Sequence, residues 1–223
     1  QTLAALTEKY AHHAQITRED ILETIGEVQT LKREGRLFAP DIDPASLAAL
    51  KKGPASLKAL CLHVAHSCNL NCEYCFAGQG RYRGERALMS FETGRRALDF
   101  LIERSAGRVN LEVDFFGGEP LMNWDVVKRL VAYARSREEQ SGKRFRFTLT
   151  TNGMLLDDEV TEFANREIHN VVLSLDGRKE VHDRLRKTND GRGSYDLIVP
   201  KFQRFVKLRG GREYYVRSTF TAR

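Results

Sequence analysis

Leu60-Cys61-Leu62-His63-Val64-Ala65-His66-Ser67-Cys68-Asn69-Leu70-Asn71-Cys72-Glu73-Tyr74-Cys75 is the stretch on which the reading of this chain turns. Its first half, Leu60 to Ala65, is an apolar run of strand length, and its second half is a loop with cysteines spaced Cys68-x-x-x-Cys72-x-x-Cys75. Four-iron four-sulfur clusters are usually held by four thiolates, so three closely spaced donors point to a cluster with one iron open to a further ligand. A structural zinc site is the alternative. Zinc wants four ligands in a closed tetrahedron, for which Cys61, His63 or His66 is available, but it usually pairs two cysteines of one turn with two ligands of a distant turn. No second pair exists in this chain. Cys61 itself reads as a small apolar strand residue, because free cysteine is among the most often buried residue types.

Downstream of this stretch, strands and helices alternate. Ser90 caps a helix with the stripe Ala97, Leu98, Leu101 and Ile102, and Val109 to Phe116 is a strand with Val109, Leu111, Val113 and Phe115 on one face. Asn123 opens a helix carrying Val126, Val127, Leu130 and Val131; Phe145 to Thr150 is a strand; Asp157 opens the next helix; Asn170 to Leu175 is a strand. A helix from Pro200 to Leu208, with its proline in the first turn, leads into a strand from Glu213 to Thr221. Five strands joined by four helices mean right-handed parallel crossovers, an α/β fold whose functional loops follow the carboxyl ends of the strands. Upstream, Thr17 and Asp20 form a capping box ahead of Ile21, Ile25, Val28 and Leu31, a helix with a buried face that Gly35 ends. Residues 40–44 read as a hinge and 51–54 as a second break.

Composition excludes several classes. The chain has 223 residues, 41% of them apolar and 30% charged, enough for one real core. No apolar run approaches the ~20 residues of a membrane span, and no signal peptide opens the sequence. A cytoplasmic protein is expected, which also suits thiolate ligands. The net charge of +6 comes from dispersed basic residues with a mild concentration from Arg178 to Arg217, so no nucleic-acid partner and no membrane partner is expected. The sequence begins at Gln1 and stops at Arg223 right after a strand-like run, and is expected to be a piece of a longer protein.

Each strand end carries polar residues. Gly117-Gly118-Glu119-Pro120 lets the backbone turn sharply and approach a ligand closely; as an isolated tetrapeptide it is also an ordinary strand-to-helix turn, with Glu119 accepting amide hydrogens at the helix start. Thr150-Thr151-Asn152-Gly153 and Ser174-Leu175-Asp176-Gly177 end the next two strands, where Asn152 and Asp176 taken singly read as caps or Asx turns. Arg186 offers a planar fork to a carboxylate, or is a surface arginine. His182 and Asp183 read as solvated neighbours on an exposed turn rather than an acid-base pair.

Cys68 to Phe76 resembles the signature loop of the radical S-adenosylmethionine (SAM) enzymes. The resemblance covers nearly all of residues 58 to 223 and is most specific to the maturases of "six Cys in forty-five" (SCIFF) peptides, among the thioether-forming ranthipeptide and sactipeptide synthases with a SPASM domain. Cys61 to His66, Tyr74 to Gly80, Asp114 to Met122 and Tyr214 to Arg217 carry it. It implies a partial (β/α)6-type barrel over 58–223, a linker over 41–57, and over 1–40 a helical remnant of the winged-helix element that holds the leader of a precursor peptide. It implies a [4Fe-4S] cluster on Cys68, Cys72 and Cys75, whose open iron is chelated by the amino and carboxylate groups of SAM. Gly118 and Glu119 then lie at the SAM ammonium group, Ser174 and Arg186 at its carboxylate, the Tyr74 backbone at the adenine, and Asn152 and Asp176 in the pocket wall. One electron from a cellular donor gives a 5′-deoxyadenosyl radical, which leads to a cysteine thioether crosslink in the core of the precursor peptide. Formylglycine formation, as in anaerobic sulfatase maturases, and a non-catalytic cluster- or zinc-bearing peptide binder are the rival readings. Auxiliary clusters of the SPASM region need cysteines that this sequence lacks after Cys75, so they are expected only in a further carboxyl-terminal region.

Overall fold

The computed structural model describes residues 3–10, 16–38 and 56–220, which fall into two units divided after Pro54. In the first unit, α1 (Leu3–Tyr10) precedes α2 (Arg18–Arg33). The Thr17 hydroxyl accepts from the Asp20 N–H at 3.1 Å while Asp20 Oδ2 accepts from the Thr17 N–H at 2.6 Å, the reciprocal cap that the sequence predicts. Gly35 then turns the chain at φ +69°. The expected buried face of α2 is not there. Ile21, Ile25 and Leu31 are half-buried and Val28 is exposed, because an apolar stripe four turns long needs more partner surface than the two turns of α1 supply. The hinge at 40–44 and the break at 51–54 lie outside the described residues.

In the second unit the strands are β1 (Ala59–His66), β2 (Leu70–Cys72), β3 (Ala87–Leu88), β4 (Asn110–Gly117), β5 (Arg144–Thr151), β6 (Asn170–Ser174), β7 (Arg186–Thr188) and β8 (Tyr214–Arg217). Between them lie α3 (Phe91–Arg104), a 3-10 turn (Pro120–Asn123) running into α4 (Trp124–Ser141), α5 (Asp158–Glu167), α6 (Lys179–Leu185) and α7 (Tyr195–Arg209). The main sheet has the order β3-β1-β4-β5-β6-β8, parallel except for the short β3. β2 and β7 form a separate antiparallel pair. No described helix is long and apolar enough to cross a membrane.

One face of the sheet carries the core. Leu62 and Val64, then Leu111, Val113 and Phe115, then Phe145, Phe147 and Leu149, then Val171 and Leu173 are buried at alternate positions. They pack on Leu98 and Leu101 of α3, Val127, Leu130 and Val131 of α4, Val160 and Ala164 of α5, and Ile198, Phe202 and Phe205 of α7. Each of these Val, Leu, Ile and Phe side chains contributes about 1.5–3 kcal/mol. Parallel sheets wrapped on both faces have continuous apolar strands; here most residues between the core positions, His63, Glu112, Asp114, Arg146 and Thr148 among them, are polar, as in the wall of a barrel. Cys61 belongs to that second face and is exposed, not buried as expected. At the amino end of the sheet the buried Arg209 guanidinium donates to the carbonyls of Ile168, His169 and Glu213 at 2.8–3.1 Å and ties α7 to the start of β6.

The boundaries differ from expectation in several places. Val109 precedes β4 and is exposed, because the ladder with β5 starts at Asn110. Asn123 makes no cap bond to α4; its amide donates to Val64 O and Met89 O at 2.8 and 2.9 Å and pins the end of β1 instead. Pro200 is the sixth residue of α7, not in its first turn: Ile198, Phe202 and Phe205 anchor the helix on both sides of the missing N–H. β8 is shorter than Glu213 to Thr221, since β6 offers only Val171 to Ser174 for pairing.

Candidate functional site

The three cysteines leave the carboxyl end of β1 in a loop anchored at both sides. On one side β2 pairs with β7, opposing Cys72 to Arg186 and Leu70 to Thr188. On the other side, Gly80 and Gly118 meet the backbone of Ser67, where an added Cβ at Gly118 would lie 2.2 Å from Ser67 O and one at Gly80 2.9 Å from Ser67 C. Backbone N–H groups already point at sulfur: Leu70 N at 3.4 Å from Cys68 Sγ and Gln79 N at 3.3 Å from Cys75 Sγ. Asn152 Nδ2 lies 3.6 Å from Cys68 Sγ, and Arg186 Nη1 4.0 Å from Cys72 Sγ. Burial, with the Glu119 carboxylate next, pushes the Cys68 thiol up to about 12, and burial also raises Cys72 against the pull of Arg186. Binding a cation deprotonates such thiols and relieves that cost.

Gly117-Gly118-Glu119-Pro120 follows β4. Gly117 has φ +132° and an added Cβ would sit 2.4 Å from Ala65 O, so only glycine fits. Glu119 is wholly buried. Its Oε1 accepts from Leu121 N at 3.0 Å and Thr151 Oγ1 at 2.8 Å, and its Oε2 from Asn152 N at 2.8 Å. Three donors leave acceptor capacity on Oε2 for one more. Burial raises the carboxyl from its ordinary 4.5 to about 7 despite these bonds. Because the folded value is the higher one, the stability tied to protonated Glu119 is full below pH 4.5 and is lost as pH rises through about 7. Metal-free protein is therefore expected to lose thermal stability over that window, and Glu119→Gln to flatten the loss; a parallel pH dependence in the variant would clear Glu119 of it.

Past β5, Asn152 donates to Asn69 Oδ1 at 2.8 Å and so ties the third strand end to the cysteine loop. Ser174, the last residue of β6, lies in the pocket wall and Asp176, two residues on, does not: its carboxylate sits behind Arg186, accepting from Arg186 Nε at 2.9 Å, Thr219 N at 2.9 Å and the Tyr74 hydroxyl. The Arg186 guanidinium also stands over the Tyr74 ring, 5.6 Å from its centroid. Arg186 is buried, so the surface-arginine alternative falls. Cys68, Cys72, Cys75, Tyr74, Gly118, Glu119, Asn152, Ser174 and Arg186 thus line one cavity of about 300 Å³ at the carboxyl ends of the strands. Thr151, Arg217 and Thr219 share it. Thr151 and Arg217 stand inside segments that the sequence marks, but nothing in residue type distinguishes them from other strand-end threonines and arginines.

The donor set fits a cluster. Among the described residues no three His, Cys, Asp or Glu side chains group closely enough for one metal ion, as a closed zinc site would need, whereas a four-iron cluster takes one thiolate per iron. A parallel α/β sheet with a three-thiol loop and a glycine-lined, charged cavity at its carboxyl edge is the architecture of a cluster and cofactor site at strand ends. The chain belongs to the Radical SAM superfamily, whose family model matches residues 62–212. Its cofactors are accordingly a [4Fe-4S] cluster and SAM.

The chain is 30% identical over 158 residues to radical SAM cyclopropyl synthase TigE of Paramaledivibacter caminithermalis, covering 66% of this chain and 32% of that protein. To the cysteine-type anaerobic sulfatase-maturating enzyme of Clostridium novyi it is 28% identical over 148 residues, covering 65% and 39%. Among solved structures, native anSMEcpe with bound AdoMet and Cp18Cys peptide superimposes with a TM-score of 0.62 at 25% identity, covering 73% of this chain and 42% of that one. The chain thus spans 32% and 39% of these two curated relatives.

Proposed function

We propose that this chain is the catalytic barrel portion of a radical SAM maturase that installs a cysteine thioether crosslink in a ribosomally made precursor peptide. The observation that carries the reading is the convergence of the three thiols, the buried Glu119 and the Asp176-held Arg186 on one cavity. A relative of the same fold that holds both AdoMet and a peptide supports a peptide substrate. When bound, cluster and SAM supply, with one electron from a cellular donor, the 5′-deoxyadenosyl radical that takes a hydrogen from the substrate.

The chain's own residues position these groups. Cys68, Cys72 and Cys75 hold the cluster, and Glu119 Oε2 keeps an acceptor site for the SAM ammonium beside Gly118. Ser174 and the free edge of Arg186 serve the SAM carboxylate, and the backbone at Tyr74 faces the adenine. Asn152 donates toward the Cys68 sulfur. Residues 1–40 would grip the leader of the precursor. Arg186→Lys keeps the charge but loses the fork, so SAM binding is expected to weaken by about 1.5–3 kcal/mol. Calorimetry on cluster-replete protein checks it, and unchanged affinity removes Arg186 from the carboxylate site.

Similarity to the sulfatase-maturating enzymes favours a second reading, oxidation of a cysteine or serine to formylglycine. Incubating the whole protein anaerobically with SAM, a reductant and the peptide encoded beside its gene separates the two by mass spectrometry. Loss of two hydrogens with a cysteine-linked fragment is expected. An aldehyde trapped by hydrazide reagent, with no crosslink, would replace the thioether reading.

A further inference from the structure

His182, expected in solvent, is completely buried on α6. Its ring stands edge-on to Tyr195 at 5.6 Å, and both its nitrogens are engaged. Nδ1 accepts from the Asp176 N–H at 3.2 Å, so it carries no proton. Nε2 lies 2.9 Å from Ser194 Oγ, and the Ser194 hydroxyl gives its single proton to Arg186 O at 2.7 Å. Only one assignment satisfies every group: a neutral ring, protonated on Nε2 and donating to Ser194.

The two ends of this chain of bonds are the two members of the buried ion pair. One end fixes the backbone of Asp176, the other the carbonyl of Arg186, and Arg186 in turn opposes Cys72 in the β2–β7 ladder. We infer that His182 is a positioning residue: through Ser194 it locks the Asp176–Arg186 pair and β7 in register with the cysteine loop, and so sets where the guanidinium presents itself to a bound carboxylate. The inference rests on the SAM site proposed above.

The charged groups facing the ring are Asp176 from the β6 loop, Arg186 from β7 and Asp183 from α6 itself, with the Ser194 hydroxyl and the Tyr195 ring where α7 begins. Burial and then Arg186 hold the imidazole below its ordinary value, against the pull of Asp176 and Asp183, which keeps it neutral at physiological pH. Protonation would set an Nδ1–H against the Asp176 N–H and open the lock.

The test uses the whole reconstituted protein. Nitrogen NMR of ¹⁵N-histidine-labelled protein should show a neutral His182 with its proton on Nε2, the signal assigned by its loss in His182→Asn. Ser194→Ala removes a single oxygen, and should raise the Kd for SAM by about tenfold with iron content unchanged, as losses of supporting partners at metal sites do. The SAM-induced change in the electron paramagnetic resonance of the reduced cluster should weaken with it. His182→Asn should cost as much, and the double variant no more than either single one, since both cut the same link. A proton on Nδ1, or Ser194→Ala with wild-type SAM affinity and spectrum, overturns the inference. Wild-type protein that fails to bind SAM overturns the proposed function instead, and the ring assignment alone then decides whether the lock exists.

Discussion

Replacing Cys68, Cys72 and Cys75 together by alanine is expected to abolish iron and sulfide binding, and with them all formation of 5′-deoxyadenosine, while the fold survives. The reason lies in the different weights the thiols carry with and without metal. Metal-free, Cys68 is a neutral buried thiol whose ionisation is pushed up to about 12, so its replacement by alanine removes one sulfur's packing, about 1 kcal/mol. The loop keeps its other anchors: the β2–β7 ladder, the glycine contacts at Ser67 and the Asn152–Asn69 bond. In the proposed holoprotein the same sulfurs would hold the cluster. For the 223-residue chain, iron and sulfide analysis after anaerobic reconstitution should give about four of each in the wild type and none in the variant. Iron retained without labile sulfide would point to a mononuclear site and end the cluster assignment.

Asp176→Ala should be the most destabilising single change at the site. The Asp176 side chain is wholly buried and the Arg186 side chain 6% exposed, so alanine strands a guanidinium away from both water and its partner. Breaking a buried pair on one side costs about 3–5 kcal/mol. The Tyr74 hydroxyl and the Thr219 N–H lose their acceptor at the same stroke, which loosens the cysteine loop and the end of β8 together. Denaturant unfolding of the metal-free protein reads the cost. Asp176→Leu combined with Arg186→Met, two apolar groups in place of the pair, should recover most of the stability and none of the SAM affinity, because the charge proposed to meet the SAM carboxylate is gone. A loss below 1 kcal/mol in Asp176→Ala would show that the pair is open to water in solution.

Local chemistry is legible in the amino-acid sequence. Caps at Thr17, Ser90 and Asp157 can be read because a capping side chain bonds within three residues of itself, and all three bonds form. Period-two runs mark β4 and β5 because a strand buried on one face must alternate. The cysteine spacing marks the cluster loop because ligands of one cluster on one turn have few possible separations. Short elements held by distant partners escape such rules. β2 and β7 are three residues each and owe their existence to one another across more than a hundred positions, and β3 is two residues laid against β1. α6 reads locally as an exposed turn and becomes a helix with a buried histidine by packing on α7.

Residue identity therefore settles which side chains have the chemistry for a cluster and a charged ligand, along with the strand ends that carry them. What each of those side chains faces is settled by packing. Asp176, expected in the pocket wall, stands behind Arg186; His182, expected in water, is sealed between α6 and α7; Cys61, expected in the core, lies on the open face. A residue's burial and its hydrogen-bond partners depend on segments far away in sequence. No local spacing rule encodes them.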